Sequence, residues 1–581
     1  MPLKDKLPVS YLLFTNRGRI DRVTYWTVSI FIWTSFYILF NLLNHGISYS
    51  STWTIYPLLF WSLTSTATKR LHDINKSWHW LLFIVLPVIG PIILFFLLGF
   101  KKGVIQSNRF GAVPGSAPDY FKNKNGEKID HLKTDERIIN EVTKLHPVIV
   151  AKVETPSTIS ELQQIIKQTK KTVSIGGGRF SMGGQTASPG SVHIDMRSLN
   201  KIINFSAQQK TIKVEAGIRW CDIQEFVDSH NLSVKIMQTY ANFTVGGALS
   251  VNCHGRYIGL GAVILSVKGL EVILANGDLI KCSPTENAEI FFACIGGYNA
   301  VAVIAVIEFD LAENIAVKRN FKNLKTYNYK KFFFENIKGN KDIIFHNADL
   351  YPPTYQNTRA VSWIKTNEKP TVKTRLMPLA NAYPVERYFI SAFSKSNFGK
   401  WRREHIIDPL LYLSKKIHWR NYEAGYDVAE LEPESRKNST YVLQEYFIPV
   451  NKFDEFSGLM AEIFQRHKVN VINISIRHAE KDTGSLLAWA KEEVFAYVVW
   501  YKQFTNEVEK NKVAVWTREL IDVAISLNGS YYLPYQAHAT AEQFHKAYPN
   551  AKKLMELKSI LDPTFKFRNI IWDKYYKKNQ E

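Results

Sequence analysis

Between Thr172 and Gln185 the chain reads Thr-Val-Ser-Ile-Gly-Gly-Gly-Arg-Phe-Ser-Met-Gly-Gly-Gln. Three successive glycines directly after a short β-prone run constrain the fold more than any other stretch. Gly176, Gly177 and Gly178 carry no Cβ, so the backbone there approaches a ligand closely and reaches positive φ freely. N–H groups converging in such a turn make a nest for anionic oxygens, and Arg179 and Ser181 add a charge and a hydroxyl. A pyrophosphate fits that chemistry. Taken alone, the stretch reads equally as a tight surface turn, so the rest of the chain has to decide.

A second constraint lies at the N-terminus. Thr24–Leu43 is almost uncharged and rich in Ile, Phe, Trp and Tyr, Thr52–Thr66 is a shorter apolar run, and Trp80–Phe100 is a third that carries Pro87, Gly90 and Pro91. A bilayer-spanning helix needs about 20 apolar residues, which the first and third runs supply and the second approaches. Successive runs without a cleavage site argue against a signal peptide. The runs contain no Asp, Glu, Lys or Arg, which argues against a transport path. Basic residues precede the first run and occupy 69–76 and 101–102. The positive-inside rule puts all three groups on the cytoplasmic side, which three full spans cannot satisfy. Either the Pro-Val-Ile-Gly-Pro segment re-enters, or the third helix exits. The expectation adopted is a cytoplasmic catalytic part.

The net charge of +21 is scattered, with no basic arm and no zinc spacing. It suits a solvated surface, an anionic membrane or an anionic cofactor better than nucleic acid. The four cysteines, Cys221, Cys253, Cys282 and Cys294, form no CxxC pair, which predicts neither a disulfide framework nor a metal site.

From about residue 146 the pattern alternates between strands and helices. Val148–Val153, Ser191–Met196, Thr211–Ala216 and Val301–Phe309 read as strands. Thr158-Ile-Ser-Glu161 reads as a capping box, and Asn276-Gly277 as a hairpin turn. Thr239–Gly255 forms a second constellation, with small residues at 246–248 and 250 and with His254 as a hydrogen-bond donor, an acid/base or a structural imidazole. Gln444 and Glu445 precede the apolar run Tyr446–Val450, and alternation along a strand turns one of them to a pocket. Thr540-Ala-Glu-Gln543 caps a helix near the C-terminus, and Asp562-Pro563 ends another.

Together, the glycine loop, Thr244-Val-Gly-Gly-Ala-Leu-Ser with His254-Gly255, and Asp562-Pro563-Thr-Phe-Lys-Phe-Arg-Asn569 resemble the three FAD segments of the vanillyl-alcohol-oxidase superfamily. The chain is similar to its aldonolactone and alditol oxidases and to decaprenylphosphoryl-ribose 2'-oxidase, the last at Tyr532-Leu533, at Thr540–His545 and at Tyr548-Pro549. Asn16–Arg22 with Tyr25-Trp26, Lys69–Ser77 and Asn108–Gly111 resemble the DUF805 family of bacterial inner-membrane proteins.

The resemblance implies an α+β chain. Residues 1–110 are a helical multi-pass membrane module, 111–140 a linker, 141–315 a two-subdomain PCMH-type FAD-binding domain, 316–525 an α/β cap and 526–581 a segment returning to the FAD domain. It implies an oxidoreductase that removes a hydride from a CH–OH group of a sugar, an aldonolactone or a lipid-linked sugar, with oxygen, a quinone or another acceptor downstream. Flavin contacts are implied for Gly176, Gly177, Gly178, Arg179, Phe180 and Ser181, for Thr239, Tyr240, Thr244, Gly246, Gly247, Ser250, Cys253 and His254, and for Val303, Tyr532 and Asn569.

Three departures matter. Arg179 and Phe180 stand where many relatives carry a flavin-linked histidine, which implies non-covalent FAD. Tyr535 stands where the ribose oxidase has a lysine, leaving Tyr535, His254 or His538 as the base. Asn299–Ala302 replaces a glycine-rich segment. Ser475-Ile476-Arg477 looks like an alditol-oxidase segment, which makes Arg477 a substrate-binding candidate. The missing lysine also admits a catalytically silent flavin-binding membrane protein as the alternative. No metal is expected.

Overall fold

The computed structural model describes residues 9–16, 18–104, 108, 110, 137–379, 396–427 and 436–576. Arg17, Arg109, Gly111 and most of the expected linker lie outside the described residues. The described residues fall into two compact units, the first holding those up to 110 and the second those from 137 onward.

In the first unit, Arg22–Gly46 is a helix of 25 residues, capped by Asp21, whose carboxylate accepts from the Thr24 N–H. It is the one helix among the described residues long and apolar enough to cross a membrane by length and composition. The second run lies in the 3-10 helix Tyr49–Ile55 and the helix Tyr56–Asp73. The third run is not the single continuous helix that its length suggested. It forms a 3-10 helix, Trp78–Val85, and a separate helix, Ile89–Gly99. Pro87 withholds an N–H and Val88 takes φ 65°, a conformation that β-branched residues avoid. Gly90 lets the two legs close, since a Cβ there would lie 1.6 Å from the Phe83 carbonyl oxygen.

The second unit holds four sheets among the described residues, the smallest of which pairs Ile138–Ile139 with Val148–Ile149. A small parallel sheet orders Lys152–Glu154, Val192–Asp195 and Val173–Gly176. An antiparallel sheet is built on Ala302–Glu313, flanked by Val267–Leu274 and Thr211–Glu215. The expected hairpin forms, with Gly277 at φ 93° between Val267–Leu274 and Leu279–Cys282. An eight-stranded sheet contains the strands between Ala316 and Phe504 and ends on Ser530–Tyr531. Helix Ile159–Gln168 buries Leu162 and Ile166 completely, worth about 1.5–3 kcal/mol for each side chain. Thr158 accepts from the Glu161 N–H, but the Glu161 carboxylate turns to the backbone and hydroxyl of Ser157 rather than closing the expected box. The Thr540–Gln543 box closes in both directions.

The C-terminal segment returns to the small sheet, where Lys566 and Arg568 exchange backbone hydrogen bonds with Val173. Lys558 secures that return. Its buried ammonium donates to the carbonyls of Ala300 and Phe567 and to Asp562.

Candidate active site

The strand Val173–Gly176 delivers the glycine loop to the mouth of a cleft enclosing about 1310 Å³, its opening included. One hydroxyl organises the two glycine-rich segments. Thr244 Oγ1 accepts from the Gly178 N–H at 3.2 Å. It fills the space a side chain at Gly177 would need, 2.2 Å from that Cβ, and crowds the one at Gly247 at 3.0 Å. The far end of the loop is tied to the C-terminal segment. Met182 N–H donates to the Pro534 carbonyl, and the Gln185 amide donates to those of Leu533 and Tyr535. Phe180 stacks on Phe243 with ring centres 4.2 Å apart, making an aromatic wall.

Most of the residues singled out in the sequence line this cleft. From the first segment these are Gly177, Gly178, Arg179, Phe180 and Ser181; from the second, Thr239, Tyr240, Thr244, Gly246, Gly247, Ser250, Cys253 and His254; and from further on, Arg477, Tyr532 and Tyr535. Four do not line it. Gly176 lies behind the loop, its α-carbon hydrogens facing the His193 ring. Val303 is buried in its sheet opposite Ile273. Asn569 caps the helix Ile570–Tyr575 and donates to the Tyr298 carbonyl. His538 is a half-buried imidazole off the cleft lining, its pKa held down at about 3 by burial first and then by the His146 charge.

Arg179 also differs from expectation. It takes φ 60°, and its guanidinium pairs with Asp195 at 3.2 Å. Burial alone would raise the Asp195 carboxyl, but hydrogen bonds and charge from Arg197, with the charge of Arg179, hold it at about 2. The positive charge at the loop is thus balanced from behind.

Strands of the eight-stranded sheet supply another wall. Along Ser439–Pro449, Leu443 and Glu445 face the cleft, while Gln444 points away to Tyr501 and Thr517. Glu445 Oε1 lies 2.6 Å from His254 Nε2, and its Oε2 accepts from the Tyr535 hydroxyl at 3.3 Å. Burial, and then the Glu445 charge, push the Tyr535 hydroxyl well above its ordinary value, so it acts as a donor and not as a phenolate. Arg477, half-buried, stands on Val471–Ala479, separated from Ser439–Pro449 in the same sheet by Val494–Phe504, and interacts electrostatically with Glu445. Sequence reasoning put forward Gln444 and Glu445 together. It missed roles for Gln185 and Met182, whose placement depends on Leu533, Pro534 and Tyr535 far along the chain.

Two buried polar atoms at the cleft, Thr239 Oγ1 and Arg477 Nε, have no hydrogen-bond partner among the described residues. Such atoms cost about 1–3 kcal/mol unless a ligand satisfies them. With the glycine cradle and the aromatic wall, they fit a bound dinucleotide and a polar substrate. One carboxylate cluster with metal-ligand spacing, His478, Glu480 and Glu493, lies outside the cleft. Its Glu493 is already paired with His478 and Lys338.

Comparison with known proteins agrees with this geometry. Residues 147–283 match the FAD binding domain family, and residues 13–112 match a protein family of unknown function, DUF805. The chain is 21% identical over 442 residues to L-gulonolactone oxidase of Mus musculus, covering 72% of this chain and 94% of that protein. It is 26% identical over 157 residues to a putative D-arabinono-1,4-lactone oxidase of Neurospora crassa, covering 26% and 28%. It is 28% identical over 200 residues to cytokinin dehydrogenase 2 of Arabidopsis thaliana, covering 32% and 40%. The chain therefore carries a PCMH-type FAD-binding domain, uses FAD, and is an oxidoreductase related to the aldonolactone oxidases.

Proposed function

We propose that this FAD-dependent oxidoreductase is anchored in a bacterial inner membrane. In this reading it oxidises a CH–OH group of an aldonolactone, a sugar or a lipid-linked sugar. The observation that carries this reading is the group of Glu445 and His254, both buried, with Tyr535 and Arg477, both half-buried, on the wall of the flavin cleft. Bound FAD supplies the hydride acceptor. Arg477, whose buried Nε has no hydrogen-bond partner among the described residues, holds a substrate oxygen. Tyr535, whose proton goes to Glu445, accepts from a second substrate hydroxyl. Glu445 takes the hydroxyl proton, and the imidazole of His254 stabilises the carboxylate from its other oxygen. A carboxylate in this position replaces the missing lysine and weighs against the catalytically silent alternative.

The flavin is held by contacts. His254 is the only histidine among the described residues lining the cleft, and its Nε2 is engaged by Glu445. Cys253 also lines it, but burial raises its thiol to about 12, and only a thiolate forms a flavin bond readily. Acid precipitation should therefore leave the flavin in the supernatant; yellow colour in the pellet contradicts this. For the reaction itself, detergent-solubilised protein should reduce an artificial acceptor when given an aldonolactone, and Arg477→Leu should lose this with its flavin retained. Equal turnover in that variant removes Arg477 from the site.

A further inference from the structure

The segment Trp78–Gly99 is a hairpin whose two ends lie together. At its entry, Asp73 is gripped by Arg19 at 3.0 Å and by Arg70 at 2.6 Å. At its exit, Arg70 also donates to the Leu98 carbonyl at 2.8 Å. Arg19 donates to the Val104 carbonyl at 2.6 Å, and Val104 N–H returns a bond to Asp73 at 2.9 Å. Arg22 and Trp26, at the start of the long helix, donate to the carbonyls of Phe100 and Gly99. The three basic motifs therefore meet at one end of the unit.

The legs are short. Eight residues of 3-10 helix rise about 16 Å, and eleven residues of α-helix about 16 Å, against a hydrocarbon core of about 30 Å. The 25-residue helix Arg22–Gly46 extends about 37 Å. The hairpin tip is apolar and uncovered: Ile84, Val85, Val88 and Ile89 are 64%, 74%, 72% and 64% exposed. Its backbone is internally bonded, with Leu86 N–H to Phe83, Ile89 N–H to Pro87 and Gly90 N–H to Leu86, and the prolines present no donor. That is the condition for a bend at membrane depth. The base carries Lys76, 3.0 Å over the Trp80 ring, with Lys101 and Lys102 exposed nearby. Trp and Lys together mark a headgroup boundary, and the lysines complement anionic lipid.

We propose that Trp78–Gly99 is a re-entrant hairpin seated among the acyl chains of one leaflet. Only Arg22–Gly46 and the Tyr49–Asp73 segment cross, so the chain at Val104 emerges on the side that holds the N-terminus. This rests on the membrane anchorage proposed above.

The test is single-cysteine accessibility in the full chain, in intact cells and inverted vesicles, with a membrane-impermeant maleimide. Flavin absorbance is the check on folding, and the unaltered chain with its four free cysteines is the blank. Ser77→Cys and Lys102→Cys should react from the same face, Ser50→Cys only from the opposite face, and Val88→Cys only after detergent. Labelling of Ser77→Cys and Lys102→Cys from opposite faces overturns the hairpin in favour of a third span. Labelling of Ser50→Cys from the Lys102 face overturns the two crossings. Protein that stays in the supernatant without detergent overturns the anchorage itself, and so separates that failure from a wrong topology.

Discussion

Nε2 of His254 lies 2.6 Å from Oε1 of Glu445, joining the second flavin segment to the cap strand across 191 positions of sequence. Both side chains are buried. A carboxylate closed off from water, held by an imidazole and facing the cleft, is placed to accept a substrate proton. Glu445→Gln keeps the shape and removes the base. It should slow flavin reduction by about 10²–10⁴-fold and leave flavin affinity unchanged. Stopped-flow absorbance and flavin titration read the two quantities separately; an unchanged reduction rate removes Glu445 from proton transfer.

Gly177→Ala puts a methyl 2.2 Å from Thr244 Oγ1. Overpacking of this kind costs about 1–3 kcal/mol, which in flavin Kd is roughly 10–100-fold. Gly458→Ala is the contrast. It lies in helix Phe453–Arg466, where an added Cβ meets nothing within 4 Å, and should stabilise by about 0.5–1 kcal/mol. Flavin titration and thermal unfolding distinguish the two.

These two glycines also separate what sequence makes legible from what it does not. The cradle was readable because close backbone approach admits few residue types, and the Thr540 cap and the Asn276-Gly277 hairpin were readable because their chemistry is local. Strand alternation offered Gln444 and Glu445 as a pair but left open which one faces the cleft; the register of the cap sheet decides it. Arg179 read as a ligand for phosphate, yet Asp195, sixteen positions away on another strand, balances it. Asn569 sits within a suggestive motif but turns to the Tyr298 carbonyl and its own helix, and His538 does not line the cleft. The third apolar run had the length of a span, and only the Leu86–Val88 bend divides it.

Lys558→Met should lower stability by about 3–5 kcal/mol, the cost of leaving Asp562 buried with its counter-charge removed. Both side chains are wholly inaccessible, so solvent does not compensate. Chemical denaturation followed by tryptophan fluorescence checks this; a loss below about 1 kcal/mol would mean that the C-terminal return is held by other contacts.

His193 is buried against Ser174, and burial, followed by the Arg179 charge, lowers its pKa to about 3. Its unfolded value is about 6.5. Between these values the unfolded chain binds the extra proton, so stability is full above about pH 6.5 and falls as pH drops toward 3, by about 1.4 kcal/mol per unit for this group. His193→Gln should flatten the acid limb of the unfolding midpoint between pH 6.5 and pH 4. An unchanged slope contradicts the assignment of that limb to His193.

The most direct test of the central claim is anaerobic mixing of the full chain with a panel of aldonolactones, alditols and sugars, followed at the oxidised-flavin absorbance band. At least one CH–OH donor should bleach the flavin in the unaltered protein and fail to do so at a comparable rate in Glu445→Gln. If no member of the panel reduces the bound flavin, or the two proteins are reduced equally fast, the cleft is not the CH–OH oxidation site described above.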